Sequence, residues 1–238
     1  MNALLDFSGL PRFQSFTPDL VKPAIDKLIA DADQCIARVT ASSVTPTWAN
    51  VVMPIDDATE KLSRAWGMVG HLNAVMNSPA LRDAYNGMLP TVTQFWSALS
   101  QNETLFAKYK QIRMSSEHSA VNGVQINAFD GLSTAKIRAL DNEIRDFRLG
   151  GADLSSDNKV RFQVVQEELS TLMSTFNDNV LDATNAFAHF VTDAKQLALP
   201  DDAIEAAREA AVKNEKGGWK FTLQAPSYMP VMQYAAFH

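Results

Sequence analysis

Zinc hydrolysis asks most simply for two histidines at i and i+4 on one helical turn, with a glutamate as base. The four histidines of this 238-residue chain do not supply that pattern. His71, His118, His189 and His238 stand far apart, and Glu117-His118 has no second histidine one turn away. They read as core or surface histidines. Serine chemistry in its commonest α/β form needs a Gly-x-Ser-x-Gly elbow, which is absent. Cys35 falls in the apolar series Leu28, Ala32, Cys35, Val39, with no neighbour in the sequence that would favour a thiolate, and reads as a small core residue. Gly150-Gly151 and Gly217-Gly218 are adjacent pairs that stop helices, not the spaced glycines that cradle a phosphate. Glu167, Glu168, Asp178 and Asp182 put four carboxylates on one helix, but a di-iron site would need Glu-x-x-His pairs, and none occurs. A solvated acidic face is the plain reading. Phe95, Trp96, Phe106 and Tyr109 recur at helical spacing and read as core. The sequence thus assigns no catalytic, cofactor-binding or metal-ligating residue to this chain.

The elements around these residues are helical. Asn158 to Val191 runs without proline or glycine, and Phe162, Val165, Leu169, Leu172, Phe176, Val180, Ala183 and Phe187 share one face. A face that long requires partners along its length. Gln166, Glu167, Glu168, Ser170, Asn177, Asp178 and Asp182 should then face solvent or a groove. The regular helix should end near residues 182–184, with 186–191 turning into a strand that pairs with Trp219 to Leu223.

Upstream, residues 1–16 suit an extended arm laid on an apolar surface. Thr17, Thr47, Ser78 and Asn102 are expected helix N-caps, with Pro18 and Pro79 in first helical positions. Leu20, Ala24, Leu28, Ala32, Cys35 and Val39 mark the first buried face. Pro54 should kink or restart the second helix, and Pro90 should bend the third. Leu105, Phe106, Tyr109 and Ile112 should point inward from the fourth. A loop with a short helix is expected over 115–132, then a helix carrying Ile137, Leu140, Ile144 and Phe147 and stopped by Gly150-Gly151. Ser155-Ser156-Asp157 caps the long helix. Asp201 is expected to cap an alanine-rich helix that ends at Gly217-Gly218, and residues from about Tyr228 begin another helix. The expected organisation is an arm (1–16), a helical body (17–184) and a small β/α element (185–238). The fold class is mainly α, a multi-helix bundle with a small β element near the C-terminus.

Composition limits function. A hydrophobic content of 46% is enough for a packed core. A net charge of −6, from 21 basic and 27 acidic residues, argues against a nucleic-acid surface and against a basic membrane-surface helix. No segment has the ~20 apolar residues of a membrane span. The first residues lack a basic, apolar leader, and one cysteine cannot form an internal disulfide, so a reducing cytoplasmic setting is expected.

Several passages carry a resemblance in order along nearly the whole chain: LPRFQSFTPDLVKPAIDKLIADA, HLNAVMNSP, RALDNEIRDFRLGGADL, FNDNVLDAT and APSYMPVM. Together they resemble the N-terminal region of the thimet-oligopeptidase-like zinc metallopeptidases. The resemblance implies one lobe of a two-lobed, mostly helical enzyme that admits short peptides to a deep channel. It also implies that the zinc ligands and general base lie on a His-Glu-x-x-His helix outside this chain, which alone should be inactive. Zinc belongs to the full-length family enzyme, and none is expected here. The alternative is a non-enzymatic peptide-binding or scaffold protein. Either way, exposed Met229, Val231, Met232, Tyr234 and Phe237 should favour self-association.

Overall fold

The computed structural model describes residues 2–117, 132–193 and 197–235. Among them the chain forms eight α-helices and one two-stranded sheet, the mainly α architecture expected. It divides into two units, Met1–Thr171 and Leu172–His238. Of the loop and short helix expected over 115–132, the part at 118–131 lies outside the described residues.

In the first unit, α1 (Val21–Thr40) buries Val21, Ala24, Ile25, Leu28, Ala32, Cys35 and Val39. Leu20 is only half-buried. The helix does not start as expected: Pro18–Leu20 forms a 3₁₀ turn, and the Thr17 side chain makes no capping bond. Proline at the first position tightens this turn before α-geometry begins. Thr47 does cap, accepting from the Asn50 N–H at 3.1 Å, but it opens a π-helical turn, Trp48–Val52. Pro54 then lies in the first turn of α2 (Met53–Val75), where its missing N–H leaves no bond unmade. Ser78 caps α3 (Pro79–Ser100), accepting from Leu81 N–H at 3.3 Å, and Asn102 caps α4 (Glu103–Glu117) through Leu105 N–H at 2.9 Å. Ser133 caps α5 (Thr134–Leu149) through Lys136 N–H. At its end, Ala152 N–H bonds the Phe147 carbonyl and Gly151 N–H that of Arg148, a Schellman closure with Gly151 at φ 96°.

These helices enclose two apolar clusters. One joins α1, α2 and α3 through Leu28, Leu62, Val69, Leu72, Leu81 and Phe95. The other joins α1, α4 and α5 through Cys35, Leu105, Tyr109, Leu140 and Phe147. The arm is fastened to the first: Leu4 is buried, Leu5 and Phe7 pack beside it, and Arg64 bonds the Gly9 carbonyl at 2.8 Å while lying over the Phe7 ring.

The long helix α6 (Ser156–Ala186) overturns an expectation. None of its residues is buried. Val165, Leu169, Leu172, Phe176, Val180 and Phe187, assigned to a packed face, are all exposed, whereas Gln166, Glu167, Ser170 and Asp178 are half-buried. Within the first unit the helix offers its polar side: Thr93 of α3 donates to Ser170 Oγ at 3.1 Å, Gln101 donates to the Lys159 carbonyl, and Lys159 pairs with Glu103.

In the second unit, β1 (His189–Val191) pairs antiparallel with β2 (Trp219–Phe221), Phe190 opposite Lys220. Between them, α7 (Asp201–Val212) packs Ala207 against Val191 and Phe221. Asp201 lies inside this helix and Pro200 is its N-cap, without a side-chain bond. The helix also ends before the glycine pair: Glu215, at φ 57°, closes it, with Lys216 N–H bonding the Ala211 carbonyl at 3.1 Å. Gly218, at φ 83°, instead turns the chain into β2, where a Cβ would overlap the Val191 carbonyl. Helix α8 spans Ala225–Tyr234, starting before the expected Tyr228.

Candidate functional site

Each described residue considered for chemistry has its own place within one of the two units. The exposed His71 ring sits 5.7 Å from that of Phe13, and His189 is exposed on β1. His118 and His238 lie outside the described residues. Cys35 is buried, its thiol donating to the Pro54 carbonyl at 3.2 Å and accepting from Arg38 at 3.4 Å. Glu168 and Asp182 are exposed, and Glu167 and Asp178 are half-buried. Phe95 and Trp96 meet edge to face at 5.2 Å, and Phe106 and Tyr109 both contact Phe147. Among the described residues no three His, Cys, Asp or Glu side chains are placed to hold a metal ion. The residues present therefore do not fit a zinc site. Nor is any helix among them long and apolar enough to cross a membrane.

Three ionisable groups with raised pKa values, Tyr109, Glu143 and Asp56, lie together in the first unit. Burial raises the pKa of the Tyr109 hydroxyl, and the charges of Asp56 and Glu143 add to the effect. Glu143 is itself pushed up by desolvation and by Asp56, and Asp56 by desolvation and Asp57. Lys108, which sequence reasoning passed over, is buried and donates to the Ala41 and Val44 carbonyls. Its signal was its place between Leu105 and Ile112 on the same helical face.

The other distinctive surface is apolar. In the second unit α6 exposes Leu172 by 59% and Phe176 by 66%, with Met173 and Val180 beside them. Leu172, Met173, Thr175, Phe176, Asn177 and Asn179 line an open cleft of about 660 Å³. No charged side chain is among them. Such a surface can seat an apolar element and bond its polar edges through the amides. Among the described lining residues there is no carboxylate, histidine, lysine or cysteine.

The fold, then, is that of a mainly helical domain whose described residues form no group of three metal-binding side chains. Residues 25–159 match the family described as "Neurolysin/Thimet oligopeptidase, N-terminal domain", and the chain belongs to that family. It is 36% identical to oligopeptidase A of Haemophilus influenzae over 98% of its own length and 33% of that protein's. Oligopeptidase A of Escherichia coli gives the same identity and coverage, and a probable cytosolic oligopeptidase A of Arabidopsis thaliana is 33% identical. The chain spans about a third of the length of these curated relatives.

Proposed function

We propose that this chain is the N-terminal helical domain of a zinc-dependent oligopeptidase, forming part of the wall of a channel for short peptides. Peptide-bond hydrolysis then belongs to the part of the family fold outside it. The observation that carries this reading is the family match over residues 25–159, together with relatives three times as long that bear the name oligopeptidase A. In this reading zinc is a cofactor of the whole enzyme, short peptides are its substrates, and the cytoplasm is its setting, as the Arabidopsis relative's name suggests for that protein. Residues 1–16 act as the arm, 17–184 as the helical body and 185–238 as the β/α element.

The test is direct. The purified chain should leave short peptides intact with and without added zinc, and equilibrium dialysis should show no stoichiometric zinc. Zinc-dependent hydrolysis by the chain alone would overturn the reading. Calorimetry with unfolded peptides distinguishes it from a free-standing peptide binder, which would keep measurable affinity. At high concentration the chain should self-associate through Met229, Met232 and Tyr234, all exposed on α8; light scattering showing a clean monomer would refute that.

A further inference from the structure

The first unit encloses two buried clusters, whereas α6, which runs on past residue 159 where the family match ends, has no fully buried residue. We propose that Leu172, Met173, Phe176 and Val180 of α6 form the seat of the remaining two thirds of the oligopeptidase fold, which covers them with an apolar face. This rests on the reading that the chain is one domain of such an enzyme.

Two observations select this occupant. The described residues that line the cleft carry apolar, amide and hydroxyl side chains without a charge, which suits an apolar element with polar edges better than a charged partner. The relatives carry about twice as much chain again as the part matched here, so chain that could cover the seat exists in the family.

The lone native thiol makes the test clean, because Cys35 is buried. The probe is the part of Escherichia coli oligopeptidase A that follows its matched third, its cysteines replaced by serine, fused after residue 238. Phe176→Cys and Val180→Cys are prepared in the chain alone and in the fusion, with Glu168→Cys as an exposed control. Thiol labelling at 176 and 180 should be rapid in the chain alone and slow by at least about tenfold in the fusion, where only transient opening exposes them. The control should label equally in both.

Equal labelling at 176 and 180 in both proteins overturns the seat. So does protection in the chain alone that grows with its concentration, which would assign the face to a second copy. If the fusion does not fold, as judged by circular dichroism, the same fragment added unlinked in large excess gives the same two outcomes. Hydrolysis of a short peptide, followed in parallel on the fusion without added cysteines, separates the two claims. Hydrolysis with an unprotected face keeps the functional reading and sinks the seat. Protection without hydrolysis keeps the seat and counts against the functional reading.

Discussion

The Lys108 ammonium donates to the Ala41 carbonyl at 2.7 Å, so a buried cation on α4 closes the C-terminal end of α1. A second bond to the Val44 carbonyl, at 2.9 Å, fastens the loop that follows. Cations are favoured at helix C-termini, where unpaired carbonyls point outward. Lys108→Met keeps the apolar stem and removes the donor, leaving carbonyls that must find other partners. Hydrogen bonds to a charged group contribute about 1.5–3 kcal/mol, and a loss of that size should appear in urea denaturation. A change below about 0.5 kcal/mol, the level of an ordinary surface substitution, would show that water replaces the ammonium at little cost.

Glu143 provides a pH test. Desolvation first, then the charge of Asp56, holds its pKa above the usual 4.5. The folded state therefore binds its proton more tightly than the unfolded chain. Its stabilising contribution is present below about pH 4.5 and fades as pH rises through the raised folded value. Glu143→Gln should match the native chain at pH 4 and exceed it in melting temperature near pH 7. Because Glu143 is desolvated on one side only and remains exposed, solvent screening should hold the gain under about 1 kcal/mol. Parallel melting curves at all pH values would remove Glu143 from the balance.

Glu215 occupies the left-handed region at φ 57° and closes α7, a place usually given to glycine. The strain there costs a non-glycine residue about 1–2 kcal/mol. Glycine adds about 0.4–1 kcal/mol of unfolded-state entropy. The first term is the larger, so Glu215→Gly should stabilise the chain by up to about 1 kcal/mol in chemical denaturation. Destabilisation would mean that the glutamate side chain contributes something the backbone geometry does not show.

These cases mark what was legible in the sequence. Ser78 and Asn102 were readable as caps because a cap bond reaches only three residues along the chain. The pairing of β1 with β2 followed from composition and from a change of period near residue 186. Thr17 and Asp201 misled because proline sits beside each: the same residues that announce a helix start also let the first turn tighten or shift the cap by one. Glu215 was missed because glycines lay two and three residues further on, and the local hydrogen bonds decided the closure. The apolar face of the second unit was visible only as a stripe. Periodicity reveals that a stripe exists and is silent on which side the neighbours take. In α6 the polar side was taken: Ser170 accepts from Thr93, and the leucines and phenylalanine point outward.

That inversion has a measurable consequence in two leucines of equal size. Leu62 on α2 is 0% exposed, in the cluster that joins α1, α2 and α3, and Leu172 on α6 is 59% exposed. Truncating a buried leucine to alanine removes its transfer free energy and leaves a cavity, a loss of about 2–5 kcal/mol. An exposed leucine leaves no cavity, and alanine is the better helix former, so Leu172→Ala should stay within about 0.5 kcal/mol of the native chain. Urea denaturation of the two variants should therefore differ by at least about 1.5 kcal/mol, the gap between those two ranges. In the fusion that carries the remaining two thirds of a relative, Leu172→Ala should become costly while the effect of Leu62→Ala stays the same. A large loss from Leu172→Ala in the chain alone would instead place that leucine in a packed core and return α6 to the orientation its sequence suggested.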